Sequence, residues 1–123
     1  MGSQENSHFV PASMLKDHNV IDKSGEDLEN IEDLMIDLEN DRIAYAVFSF
    51  GGCLGMSNKW FVIPWRALEL KLYENAMIIT LNVDQEVLKK AEGFDKDKLP
   101  LTHEELFTVY NHYGYEPYWK IHQ

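Results

Sequence analysis

The stretch IEDLMIDLENDRIAYAVFSF, residues 31–50, decides the fold. In its first half, Leu34, Ile36 and Leu38 alternate with other residues, which is the period-two pattern of a strand with one wet face. Asn40-Asp41 follows, and both residues tolerate the positive φ that a two-residue hairpin loop demands. The second half is apolar on both alternating faces, which is typical of a strand covered on both sides. The sequence therefore predicts an antiparallel hairpin over residues 34–50.

Short strand patterns flank this hairpin on both sides. They lie at residues 20–21, 60–63, 68–73 and 76–81. Six short antiparallel strands without intervening helices favour a barrel, because closure removes exposed sheet edges. We therefore expect a mainly β fold, a small six-stranded antiparallel β-barrel over residues 12–83, preceded by a flexible tail over residues 1–11.

Beyond residue 83 the periodicity changes to that of helices. Asp84 and Gly93 bracket a short helix predicted over residues 85–91. Thr102 and Glu105 have the spacing of a capping box, which predicts that a second helix begins there. Residues 84–123 are thus expected to form a helical and aromatic C-terminal extension, with an extended segment after its last helix.

The composition and net charge of the chain argue against several classes of function. The chain has 123 residues, with 11 basic and 21 acidic residues and a net charge of −10, which argues against direct nucleic-acid binding. It has no apolar run of the ~18 residues that span a membrane. A single cysteine excludes an internal disulfide framework and any multi-cysteine metal site. These features are typical of a cytoplasmic single domain.

Specific short motifs carry a family resemblance. They include Gly25-Glu26-Asp27-Leu28, the hairpin over residues 37–45, Ser49-Phe50-Gly51-Gly52 and Pro64-Trp65. Residues 31–68 resemble the PRC-barrel domain, named from the photosynthetic reaction centre H subunit and shared with a bacterial ribosome maturation factor. The C-terminal motifs are similar to the extension of free-standing bacterial PRC-barrel proteins. The resemblance implies a barrel used for protein–protein contact, linked to RNA metabolism or an electron-transfer assembly, with no shared catalytic motif.

Aromatic residues crowd the end of the chain and are the candidate protein interface. They are Tyr110, Tyr113, Tyr115, Tyr118 and Trp119. Such residues either pack on the barrel or anchor a partner, since Tyr and Trp are typical interface anchors. The two strands that are apolar on both faces also need cover, so we expect a homodimer that buries them together with the aromatic tail. The predicted function is a non-enzymatic interaction or adaptor module without a cofactor.

Two alternatives use other residues. Nine carboxylates lie within residues 22–41, and they form either a solvated acidic face that selects a basic partner or a calcium-type regulatory site. A small enzyme would need Cys53 or His103. Cys53 has no cation or base near it in sequence, and His103 begins a zincin-like motif in which Phe107 replaces the second histidine. The sequence therefore predicts no catalytic residue and no metal ligand.

Overall fold

The computed structural model describes residues 9–49, 59–74 and 76–120. Cys53, the glycine-rich segment around it and most of the predicted N-terminal tail lie outside these residues. None of the helices within the described residues combines the length and the apolar character needed to cross a bilayer.

The described residues form a mainly β fold with helices at both ends. The strands are β1 (Asn19–Asp22), β2 (Asp27–Asp37), β3 (Arg42–Phe48), β4 (Phe61–Pro64), β5 (Leu68–Tyr73) and β6 (Ala76–Leu81). The helices are α1 (Met14–Asp17), α2 (Gln85–Lys89) and α3 (His103–Tyr113), and 3₁₀ turns lie at Trp65–Ala67, Lys96–Lys98 and Tyr118–Lys120. The predicted strands and both C-terminal helices are therefore confirmed.

The strands join in the order β4-β3-β2-β1-β6-β5. β2 is 11 residues long, and its register against β3 shifts twice, which bends the strand. Five neighbouring pairs hold the described sheet together, and four are antiparallel as expected. The β1–β6 pair is parallel, with Val20 opposite Ile79, so the prediction of a purely antiparallel barrel was wrong at this pair. A parallel pair needs a long connection, and strands β2 to β5 provide it.

Two local predictions need correction. The loop between β2 and β3 spans the four residues from 38 to 41 rather than two, and Asp41 adopts a positive φ of 56° there. The extra residues are held by Asp37, whose carboxylate accepts hydrogen bonds from the loop backbone. The C-terminal segment also ends in a 3₁₀ turn, Tyr118–Lys120, rather than continuing extended, because its aromatic side chains fold back on the barrel.

Two apolar clusters stabilise the fold, one on each face of β3 and β4. Inside the barrel, Phe48 and Ile63 pack with residues from all the other strands and from α1 and α2. On the outer face, Tyr45, Val47 and Val62 pack against α3 and the aromatic tail. The second apolar face of these two strands is thus covered by the chain's own C-terminal extension.

Candidate functional site

The first turn of α3 is fixed by the capping box that the sequence predicts. The Thr102 hydroxyl accepts a hydrogen bond from the Glu105 amide at 3.1 Å, and Glu105 Oε1 accepts one from the Thr102 amide at 2.8 Å. At the other end, Gly114 adopts the left-handed conformation, with φ at 80°. These caps set the position of His103, the first helical residue.

The aromatic residues predicted as an interface lie largely inside the fold. Tyr110 and Tyr118 are buried, whereas Tyr113, Tyr115 and Trp119 are half-buried against the two clusters. The rings of Tyr118 and Trp119 meet edge to face, with centroids 4.9 Å apart. Of the two interpretations left open by the sequence, packing on the barrel is observed for this chain, with Tyr110 fully buried and Tyr118 only 4% exposed.

Tyr110 ties α3 to β3. Its hydroxyl donates a hydrogen bond of 2.6 Å to the carbonyl oxygen of Ala44. Burial raises the pKa of the Tyr110 phenol to about 12. The backbone amide of Leu101 in turn donates to the hydroxyl of Tyr45 at 3.2 Å. The extension is therefore joined to the barrel by buried polar contacts as well as by apolar packing.

Asp37 is the centre of a polar cluster at the end of β2. Its Oδ1 accepts hydrogen bonds from the backbone amides of Glu39 and Asn40, at 2.9 and 3.1 Å. Its Oδ2 accepts from the Asn40 side chain at 2.9 Å and from the hydroxyl of Tyr118. The Asp37 side chain is only 6% exposed. One carboxylate thus fixes the hairpin loop and anchors the aromatic tail.

The surroundings of this cluster keep Asp37 ionised and Tyr118 protonated. Burial alone would raise the pKa of Asp37, but hydrogen bonds from Tyr118, Asn40 and His103 outweigh it and hold that pKa well below its usual range. Burial, followed by the hydrogen bond to Asp37, raises the pKa of Tyr118. The guanidinium of Arg42 lies 4.5 Å from the centre of the Tyr118 ring, which adds a cation–π contact.

His103 lies beside this carboxylate at the N-terminus of α3. Its Nε2 is 3.0 Å from Asp37 Oδ2, and its ring contacts Trp119 with centroids 5.0 Å apart. The sequence motif that begins at His103 lacks a second histidine, but the fold supplies carboxylates from the hairpin instead. No spacing rule could have found this pair, because 66 residues separate its members.

An open cleft of about 400 Å³ lies between the β2–β3 hairpin and the start of α3. Its lining is mostly apolar and comprises Met35, Ile36, Asp37, Leu38, Glu39, Ala44, Tyr45, Pro100, Leu101, His103, Leu106 and Tyr118. Ile36 is 54% exposed and Leu38 is 86% exposed. The cleft therefore combines large exposed apolar side chains with a cluster of acidic groups.

Most of the acidic segment 22–41 does not converge on one point. Asp22 is 3% exposed and accepts hydrogen bonds from Ser24, Glu26 and Gln85, which hold its pKa low against the opposing effect of burial. Asp27 instead accepts from the side chain of Asn19, at 2.8 Å. Among the described residues, a single group of three possible metal ligands includes acids of this segment. It consists of Asp37, Glu39 and His103.

The hydroxyl groups that line the described part of the cleft are engaged within the fold. The hydroxyls that line it belong to Tyr45 and Tyr118, and both are hydrogen-bonded within the fold. Cys53 lies outside the described residues. Asp37 orients the imidazole of His103. The same carboxylate also accepts the hydrogen bonds that hold the hairpin loop and Tyr118 in place.

Comparison with known families agrees with the architecture. The PRC-barrel domain matches residues 8–86, which is more than half of the chain. The protein belongs to the PRC-barrel family. No match was found among curated proteins. The family match ends near the start of α2, so α3, His103 and the aromatic tail all follow the matched region.

Proposed function

We propose that this PRC-barrel protein is a cytoplasmic, non-enzymatic interaction module that docks a basic, apolar segment of another protein. The docking site is the cleft between the β2–β3 hairpin and α3. The observation that carries the proposal is the exposure of Leu38, 86%, beside the acidic group of Asp37 and Glu39. A folded protein gains nothing in stability from a leucine held in water at a loop tip.

The apolar part of the cleft would bind side chains of the partner. Ile36 and Leu38 stand on the hairpin side, and Leu101 and Pro100 stand on the opposite side. Peptide-sized grooves of this kind bind large apolar side chains in a water-excluding centre, which supplies most of the affinity. The partner segment should therefore present at least one large aliphatic or aromatic residue.

The acidic groups that line the cleft favour a partner segment of positive charge. Asp37 and Glu39 are among the lining residues of the cleft, and the whole chain carries a net charge of −10. Complementary charge speeds association and excludes acidic competitors more than it raises affinity. The partner segment should therefore carry lysine or arginine next to its apolar residue, and its association rate should fall as salt is added.

The homodimer remains a prediction, but the reason for expecting it has changed. The outer faces of β3 and β4 were expected to need a second subunit, and α3 and the aromatic tail of the same chain cover them. A second copy would instead have to use exposed residues such as Ile36 and Leu38. Light scattering on the unmodified chain and on Leu38→Asp tests this directly, because the substitution should disrupt any such dimer.

A random displayed peptide library provides the test of the docking proposal. We expect selected peptides to be enriched in lysine or arginine beside a large apolar residue. Their binding to the unmodified protein, measured by fluorescence anisotropy, should be lost in Leu38→Asp. The matched control is Leu72→Asp, because Leu72 is also exposed, at 44%, but lies on β5 away from the cleft.

Two results would overturn the docking proposal. One is selection of acidic peptides, which the charge of the cleft excludes. The other is equal binding by the unmodified protein and Leu38→Asp, which would place the peptides elsewhere.

A further inference from the structure

Three side chains of metal-binding types meet in the lining of the cleft. Asp37 and Glu39 lie at the end of β2 and in the following loop, and His103 opens α3. Their ligand atoms all lie within 4.8 Å of one another. We propose that Asp37, Glu39 and His103 bind a divalent transition-metal ion of the zinc type. This site goes beyond the docking function and does not depend on it.

The ligand set distinguishes this ion from calcium. Calcium takes six to eight oxygens, whereas one imidazole with two carboxylates suits zinc and its neighbours in the first transition row. Three protein ligands also leave a coordination position open, as zinc sites that exchange ligands do. The calcium-type alternative used acidic residues of segment 22–41 alone, and the histidine from α3 changes the expected ion.

The distances are close to those that an ion would impose. Two ligands bonded to zinc at about 2.0–2.2 Å stand roughly 3.3–3.6 Å apart at the tetrahedral angle. The distance from His103 Nε2 to Asp37 Oδ2 is 3.0 Å. Glu39 and His103 are exposed, so rotation of their side chains brings the remaining atoms into the coordination sphere.

Groups outside the ligand set hold two of the three ligands in place. Asn40 and Tyr118 donate hydrogen bonds to Asp37, which orients the carboxylate and keeps it anionic. The ring of Trp119 packs against the imidazole of His103. Such outer partners are typical of metal sites, because they fix ligand orientation before the ion arrives.

Ion binding has a consequence for the fold. In the observed structure the imidazole of His103 contacts Asp37 directly, and the ion would take the place of the proton between them. A metal ion binds an unprotonated nitrogen of the imidazole, so ion binding and a proton at Nε2 exclude each other. The bound ion would join the hairpin loop to the N-terminus of α3 and so stabilise both walls of the cleft.

Calorimetric titration with Zn²⁺ provides the test, on the full chain after dialysis against a chelator. We expect one ion per chain, with affinity reduced at least about tenfold in Glu39→Gln and in His103→Gln. The matched controls are His112→Gln, an exposed histidine elsewhere on α3, and Glu32→Gln, an exposed acid on β2. Both controls should bind like the unmodified protein. Zn²⁺ should also raise the melting temperature of the unmodified chain but not that of His103→Gln.

The proposal is overturned by several clear results. They are an absence of saturable binding, unchanged affinity in Glu39→Gln and His103→Gln, or an equal loss in His112→Gln. Peptide binding measured in chelator tests the docking function separately, so either proposal can fail while the other stands.

Discussion

The hydroxyl of Tyr118 donates a hydrogen bond to the carboxylate of Asp37, across 81 residues of sequence. Asp37 lies within the region that matches the PRC-barrel domain, whereas Tyr118 lies in the extension beyond it. The contact therefore fastens the extension to the barrel at the loop that forms one wall of the cleft. This arrangement makes the extension part of the fold.

Removing the Tyr118 hydroxyl should destabilise the whole protein. Tyr118→Phe leaves a buried carboxylate with one donor fewer, and we expect a loss of about 1–3 kcal/mol in the free energy of unfolding. Urea denaturation measures it. Tyr115→Phe is the control, because its hydroxyl makes a longer contact of 3.4 Å to Asn82 at an exposed position. Equal stability of Tyr118→Phe and the unmodified chain would contradict the anchoring role of this contact.

The stability of the protein should fall in acid because of Asp37. Its pKa is lower in the folded chain than in the unfolded chain. This contribution is therefore complete above the unfolded value of about 3.9 and is lost as the pH falls below it. We expect Asp37→Asn to be strongly destabilising near neutral pH and less so in acid. Urea denaturation at several pH values tests this, and an equal penalty at neutral and acid pH would be inconsistent with an ionised Asp37.

The capping box of α3 should contribute to global stability. Thr102→Ala removes the acceptor for the Glu105 amide, and we expect a loss of about 1 kcal/mol. Thr108→Ala provides the control, since Thr108 is exposed within the same helix and caps nothing. Thermal unfolding of both variants measures the difference. If Thr102→Ala leaves the thermal unfolding transition unchanged, α3 does not unfold cooperatively with the rest of the protein.

Gly93 should not tolerate a side chain. A methyl group there would lie 2.6 Å from Cβ of Lys59, beside the paired backbone of Trp60 and Phe94. Because Cβ cannot move without the backbone, we expect Gly93→Ala to cost about 1–3 kcal/mol. Glu92→Ala, at the exposed neighbouring position, should stay within about 0.5 kcal/mol of the unmodified chain. Chemical denaturation of the two variants compares them, and similar stabilities would show that the segment can shift freely.

Local patterns in the sequence predicted most of the fold. The alternation in residues 34–50 predicted the hairpin, and the Thr102–Glu105 spacing predicted the start of α3, because both signals depend on residues near one another in sequence. The parallel β1–β6 pair was missed, since pairing between strands distant in sequence depends on the arrangement of the whole sheet. The predicted loop length was wrong because a local signal in the sequence was not taken into account. Asp37 and Asn40 carry the signal of an Asx-type turn that holds a longer loop.

The candidate site could be predicted only in part. The acidic segment 22–41 and the aromatic tail were both identified, but the sequence could not show that Tyr118 turns inward to Asp37. The meeting of Asp37, Glu39 and His103 joins a hairpin loop to a helix 66 residues away. Such a contact follows from tertiary packing of the extension on β3 and β4, and no local spacing encodes it.

An NMR titration that follows the backbone amides tests the docking account most directly. A library-selected peptide with adjacent lysine and leucine is added to isotopically labelled protein, in the presence of chelator. If the cleft binds the peptide, we expect saturable shifts at Ile36, Leu38 and Leu101, with little change at Leu72 or Ile78 on the far strands. Saturable shifts confined to Leu72 and Ile78, with the amides around the cleft unmoved, would contradict it.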